Sequence, residues 1–170
     1  TMHNAEARGR AVKCDADRFL GTHLLRASEL SEQLRSNGEA VDRARAQQAM
    51  ASRRCDELVV AIRDDLFNLI GRRIRDRKFG MLFPGGTPEY TDTPPGWKPI
   101  ALLRLATLIE DVRHRMIERD AAAQFAEELR AAAAELTVIT SAFGPLRLEQ
   151  RNLGWKYTTN ARLGNLELHQ

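Results

Sequence analysis

Apolar residues recur at three- and four-residue steps along most of the chain, which is the spacing of helices with one buried side. The first stripe lies in a segment from about residue 5 to residue 36, and it comprises Leu20, Leu24, Ala27, Leu30 and Leu34. Asn37-Gly38 follows it, a pair that favours a left-handed helix end. The pattern therefore predicts a first helix that ends in a tight turn at this pair.

A second helix is predicted from about residue 39 to Lys78, because a further stripe runs through this segment without interruption. Its apolar side consists of Val41, Ala44, Gln48, Ala51, Cys55, Leu58, Ile62, Leu66 and Leu69. We expect Leu58 to lie in the core.

The helical pattern stops between residues 79 and 99, where the chain carries Pro84, Pro88, Pro94, Pro95 and Pro99 together with several glycines. We predict a long irregular connection over this range. Phe83, Tyr90 and Trp97 lie within it, and a solvated linker would not carry such side chains. They either fold back and cap one end of the helices or form a partner-binding surface.

Neither glycine nor proline interrupts residues 100 to 143, so this range forms one long helix or two helices with a bend near Arg119-Asp120. Its apolar stripe comprises Leu102, Leu105, Ile109, Val112, Met116, Phe125, Leu129, Leu136, Ile139 and Phe143. Gly144-Pro145 is predicted to end this range. A shorter final helix is expected from about residue 146 to residue 168.

These segments predict an all-α fold, an elongated four-helix bundle, or one of five helices, with one long Pro/Gly-rich connection. A chain of 170 residues, 43% of them hydrophobic, suits a single domain over residues 1–170. No run approaches the ~18 to 20 apolar residues that cross a bilayer, and the N-terminus lacks the apolar block of a secretion signal. We expect a cytoplasmic protein that has no membrane partner.

The two cysteines, Cys14 and Cys55, belong to no CxxC pair and to no Cys/His cluster. If the first two helices pair about Asn37-Gly38, the two positions are offset by ~9 Å along the helix axis, which is too far for a disulfide. Buried thiols are the better interpretation.

The strongest charge feature is a basic patch at the predicted end of the second helix, formed by Arg72, Arg73, Arg75, Arg77 and Lys78. Cations at this position stabilise the helix dipole and its open carbonyl groups. The alternative is a surface for nucleic acid, an acidic partner or an anionic surface. Because Asp56, Glu57, Asp64 and Asp65 lie on the same helix, the case for nucleic acid is weakly supported.

Asp111 and His114 form one acidic-x-x-His motif of the kind that binds metals inside helical bundles. Such bundles need two of these motifs and further carboxylates, whereas this chain has no second copy. A metal site at Asp111 and His114 is therefore an alternative, and we expect no cofactor.

Two Arg and His pairs, Arg18 with His23 and Arg162 with His169, have a spacing that resembles that of HEPN-type ribonucleases. In those enzymes the imidazole can move protons while the guanidinium holds the scissile phosphate. Two such matches are unremarkable in a chain so rich in arginine, and Phe19 and Leu163 stand where the family usually has a polar residue.

Every enzymatic motif is thus incomplete, and the sequence leans against an enzyme. We predict a non-catalytic helical-bundle interaction or scaffold protein that binds a protein partner or associates with itself. The alternatives are a HEPN-like ribonuclease or nucleic-acid-binding bundle, and a metal-binding helical bundle.

Overall fold

The computed structural model describes the backbone of residues 2–70, 77–116 and 119–167. Within these ranges it describes all side chains except those of residues 2–17, 19, 78, 112–116 and 165–167. The described chain is 91% helical and contains no strand, which confirms the predicted all-α bundle.

Five helices form the described part of the chain. They are α1 (Met2–Leu69), α2 (Arg77–Leu82), α3 (Pro88–Thr91), α4 (Lys98–Met116) and α5 (Arg119–Glu167). The range 100–143 is therefore divided between α4 and α5, which decides between the two alternatives for it. None of the described helices has an apolar stretch long enough to cross a membrane.

The predicted turn at Asn37-Gly38 is wrong, because α1 continues through this pair. The Asn37 side chain donates hydrogen bonds to the carbonyl of Leu146 and to Oε1 of Gln150, at 3.2 and 2.7 Å. A Cβ on Gly38 would lie 3.6 Å from Gln150 Nε2. The pair therefore serves contacts with α5, and these contacts outweigh the ~1 kcal/mol that a glycine costs inside a helix.

The predicted helix end at Gly144-Pro145 is also wrong, because α5 runs through Pro145. A proline inside a helix costs ~3 kcal/mol through its missing donor and the clash of its ring with the preceding turn. Packing contacts on both sides hold the helix together. Thr140 accepts a hydrogen bond from Gln48 before the proline, and the carbonyl of Leu146 binds Asn37 after it.

The segment between α1 and α4 differs from the predicted boundaries. Helix α1 ends at Leu69, not at Lys78. The stretch expected to be irregular over 79–99 contains the end of α2 and all of α3. Thr87 precedes α3, and Pro88 is its first residue, where the fixed φ of proline suits the helix. A turn over 83–86 precedes it and ends at Gly86, whose φ of 77° favours glycine.

The contacts divide the chain into two compact units, and the prediction of one domain over 1–170 is not tested by them. Unit 1 contains residues 1–42 and 145–170, and unit 2 contains residues 43–144. In unit 1, α1 and α5 run antiparallel, since His23 contacts Asn160 while Asn37 contacts Gln150. The apolar side chains buried in its described part are Leu30, Val41 and Leu153.

The main core belongs to unit 2 and is built by α1, α4, α5 and the connection. Helices α4 and α5 form an antiparallel hairpin, in which Arg130 binds Glu110 through both guanidinium NH2 groups at 3.0 and 2.6 Å. Helix α5 contributes several alanines at helical steps, which let its neighbours approach closely. The buried cluster comprises Ala51, Cys55, Val59, Ile62, Leu66, Leu82, Phe83, Tyr90, Leu102, Leu105, Ala106, Ile109, Ala122, Ala126, Leu129, Ala133 and Leu136.

Val59 occupies the core position for which the sequence pattern selected Leu58. Leu58 is half-buried and packs at the edge of the cluster, and Leu69 is exposed. The step from Cys55 to Val59 is four residues, and the buried line rejoins the predicted one at Ile62 and Leu66.

Two leucine truncations test this assignment. Leu136→Ala should lower the free energy of unfolding by about 2 to 5 kcal/mol, because it leaves a cavity in a fully buried position. Leu58→Ala should cost clearly less, since its side chain already meets solvent. Urea unfolding followed by circular dichroism measures both, and equal losses would mean that the core line is misplaced.

Candidate functional site

A buried lysine fixes the connection onto unit 2. Lys98, the first residue of α4, is 2% exposed, and its Nζ donates to Asp56 Oδ1 at 2.5 Å and to the carbonyl of Thr91 at 3.0 Å. The ammonium therefore joins α1, the end of α3 and the start of α4. Because a buried charge without partners is very costly, this set of contacts defines where the connection can lie.

The lysine opposes the local helix dipole. The N-terminus of a helix carries partial positive charge, so a cation at the first position of α4 is unfavourable unless an anion compensates it. Asp56 supplies that anion from the C-terminal part of α1. The backbone N–H groups of Trp97 and Lys98 both donate to the carbonyl of Pro94, at 2.9 and 3.0 Å, and thereby close the turn before the helix.

Two of the three aromatic residues predicted to bind a partner lie in the core. Phe83 and Tyr90 are buried, and the Tyr90 hydroxyl donates to the carbonyl of Leu82 at 2.6 Å. Their rings continue a series of contacts that begins at Phe67 and passes through Phe79, with centroid distances of 5.4 to 5.7 Å. Phe83 and Tyr90 therefore cap the core. Capping was one of the two alternatives that the sequence left open for the connection.

Trp97 is the member of the predicted set that meets solvent, with 67% of its surface exposed. Ile100 and Leu103 follow it at three-residue steps and are also exposed. These three residues form an apolar surface at the start of α4, which we call the Trp97 edge. Arg104 lies within it and contacts the Glu89 carboxylate at 3.5 Å.

A shallow groove lies beside the buried lysine on α1. Its lining residues are Arg53, Asp56, Glu57, Val60 and Ala61. Asp56 belongs both to this groove and to the contact with Lys98, so the groove lies next to the start of α4.

Burial changes the acidity of two groups in the core. It raises the pKa of the Cys55 thiol, and the Lys98 ammonium opposes this shift. The pKa of the Tyr90 hydroxyl is likewise raised, first by burial and then by the Glu89 carboxylate. Both groups are therefore neutral at physiological pH and act as packing elements. Cys55 is buried, as expected, while the side chain of Cys14 lies outside the described residues.

The structure does not bring Arg18 and His23 together as a ribonuclease would need. Both lie on α1, five positions and therefore about 140° apart around the helix. Arg18 is exposed, whereas His23 is half-buried with Nδ1 3.0 Å from Asn160 Oδ1. Asn160 Nδ2 donates to the His23 carbonyl, so its Oδ1 accepts the Nδ1–H of the imidazole. His23 thus joins two helices.

Arg162 points away from His23. Asn160 binds His23, and a Cβ on Gly164 would lie 3.9 Å from His23 Cβ, so this face of α5 meets α1. Arg162 stands midway between these two residues, about 160° around the helix from both. His169 lies outside the described residues.

The other predicted groups are only partly described. Arg72, Arg73 and Arg75 lie outside the described residues, as does the side chain of Lys78, while Arg77 is exposed at the start of α2. Asp111 is exposed on α4, and the side chain of His114 is outside the described set. Among the described side chains, no group of three His, Cys, Asp or Glu residues could hold a metal ion.

Sequence reasoning missed the Lys98 and Asp56 pair. A signal was present, because lysine is rare in this arginine-rich chain and Lys98 stands between Trp97 and Pro99. A lysine has a compact ammonium group that fits a small buried site better than a guanidinium does. The carboxylate partner, 42 residues earlier in the chain, could not be identified from spacing.

Comparisons with known proteins identified no relative of this chain. No family model matches the chain, and neither the curated proteins nor the solved structures include a match to it. The site must therefore be interpreted from its own geometry.

A double-mutant cycle tests the buried pair. Lys98→Met keeps most of the side-chain volume but removes the donors to Asp56 and Thr91, and Asp56→Asn removes the charge of the acceptor. Each change should lower the free energy of unfolding by about 1 to 3 kcal/mol, because a buried polar group loses its partner. The double variant should lose clearly less than the sum of the two. Additive losses in urea unfolding would contradict the coupling.

The raised pKa of Cys55 predicts a loss of stability in alkaline solution. Above the ordinary thiol pKa of about 8.5, the unfolded chain releases the Cys55 proton while the folded chain retains it. The unfolded state then binds fewer protons, so stability falls as the pH rises through this range. Urea midpoints between about pH 7 and pH 10 should fall less for Cys55→Ala than for the parent. Parallel pH profiles would show that this thiol is not responsible.

Proposed function

We propose that the chain is a non-catalytic helical-bundle protein that binds a protein partner through the Trp97 edge. The observation that carries this proposal is the exposure of Trp97, Ile100 and Leu103 on one rigid element. Exposed tryptophan is common among the residues that dominate binding energy in protein interfaces. In the proposal the protein acts in the cytoplasm.

Rigidity supports the proposal because it reduces the entropy lost on binding. Trp97 is followed directly by the buried Lys98, and prolines stand at positions 94, 95 and 99. The backbone around the indole is therefore fixed before any partner arrives.

The spacing of the edge favours a helical partner. Residues at three-residue steps form a ridge that fits the groove of another helix. Arg104 lies within the ridge and its guanidinium contacts the Glu89 carboxylate, so the polar group beside the apolar residues is an ion pair.

Recovery of partners from a cell extract tests this proposal. The full chain is immobilised in parental form and as Trp97→Ala, Ile100→Ser and Trp155→Ala, the last being an equally exposed tryptophan outside the edge. Proteins recovered by the parent and by Trp155→Ala should be lost from both edge variants. A binding loss of about tenfold or more is expected from removing such an anchor.

Melting curves accompany the recovery experiment. Trp97→Ala should change the melting temperature little, because most of the indole is already in solvent. A large drop in melting temperature with unchanged recovery would show that Trp97 supports the fold and not a partner.

A further inference from the structure

Unit 1 carries a second exposed apolar surface, on the side of α5 that faces away from α1. Leu148, Asn152, Trp155, Thr159 and Leu163 follow one another there at three- and four-residue steps. Leu153, which α1 buries, stands about 140° to 160° around the helix from Leu148 and Trp155. Trp155 is 70% exposed, and Leu148 and Leu163 are about half exposed. We call this stripe the Trp155 face.

The Trp155 face is basic. From Pro145 to Gly164, α5 carries four cations, Arg147, Arg151, Lys156 and Arg162, against the single carboxylate of Glu149. Two copies of this face would repel each other, so it is not suited to pair with itself. An acidic helix is the complement that its charge requires.

An acidic helical face is present on the opposite side of the same unit. Leu25, Glu29, Glu32, Ser36 and Glu39 follow one another at four- and three-residue steps on α1. All five are exposed, and this stripe lies away from the buried Leu30 and Val41. Within the span of this stripe, from Leu25 to Glu39, α1 carries three carboxylates against Arg26 and Arg35. We call this stripe the Glu32 face.

The ion pairs within α1 leave the Glu32 face able to bind. Glu29 pairs with Arg26, and Glu32 and Glu39 pair with Arg35, but all these side chains are more than half exposed. Exposed pairs of this kind contribute little, so their carboxylates can turn to a new cation at small cost. The two faces also match in length, since fourteen or fifteen helical steps span about 22 Å.

We propose that the chain associates with itself head to tail, the Glu32 face of one copy docking on the Trp155 face of the next. Trp155 and Leu148 of one copy would pack beside Leu25 of the other, with Arg151, Lys156 and Arg162 against the glutamates. A contact between two different faces of the same molecule leaves one of each face open at the ends of a linear assembly, whereas a closed ring leaves neither open. The proposal is independent of the Trp97 edge, because it uses the other unit.

The association should depend on concentration and on salt. Analytical ultracentrifugation of the full chain should show a mean mass that rises with protein concentration and falls when salt is added, because salt screens exposed charges. Mass equal to a single chain at every concentration would overturn the proposal.

Two charge reversals distinguish this contact from other modes of association. Arg151→Glu reverses a charge on the Trp155 face, and Glu32→Lys reverses a charge on the Glu32 face. The association of each variant with itself should be weaker than that of the parent by about tenfold or more. Mixed together, they should associate again, because each supplies the face that the other has lost and the two altered faces also bring a carboxylate against a cation. Self-pairing that persists in Glu32→Lys, or no pair on mixing, would overturn the proposal.

Two control variants test whether the loss of association is specific to the charges of unit 1. Glu57→Lys makes the same charge change on an exposed residue of unit 2 and should leave the association unchanged. Trp97→Phe leaves Trp155 as the one tryptophan, and its emission should move to shorter wavelength as concentration rises. An unchanged emission during association would also overturn the proposal, while loss of partner recovery in Trp97→Ala reports on the other surface alone.

Discussion

Among the described side chains, Lys98 is the charged one that is buried, and its ammonium constrains where the connection between α1 and α4 can lie. A cation at the start of a helix and out of contact with water needs an anion and a hydrogen-bond acceptor, and Asp56 and the Thr91 carbonyl supply them. Once these contacts form, the proline-rich connection must pass over the end of the core. Tyr90 is then buried with its hydroxyl on Leu82, and Trp97, one position before the lysine, is left at the surface. The contacts of Lys98 therefore account both for the burial of Tyr90 and for the exposure of Trp97.

The periodicity of apolar residues identified most of the helical structure, because a helix that is buried on one side needs apolar residues at three- and four-residue steps. It failed where tertiary contacts override local preference. Asn37-Gly38 and Gly144-Pro145 are both good helix ends by local rules, yet both pairs lie inside helices. Asn37 reaches a carbonyl and an amide on α5, 109 and 113 residues away in sequence, and no local rule could include those partners.

The candidate sites, like the helices, could be predicted from the sequence only in part. Composition singled out the connection and its aromatic residues, because side chains of that kind need a surface to pack against. It could not distinguish the buried Phe83 and Tyr90 from the exposed Trp97, since that difference depends on tertiary packing and not on residue type. The proposed pairing of Arg18 with His23 counted positions along the chain without their angle around the helix, and Asn160, which in fact binds His23, is 137 residues away.

Pro145 has a consequence for the order in which the chain loses structure. It cannot donate to the carbonyl of Ser141, so the ladder of backbone hydrogen bonds in α5 lacks one link at the position where the contacts divide into two units. Fraying that starts at the C-terminal end of α5 meets this gap before it reaches the core around Leu136. Backbone amides after the proline can therefore exchange with solvent in openings smaller than global unfolding, whereas those facing the main core exchange only when unit 2 opens. We therefore expect the long helix α5 to unfold as two cooperative segments.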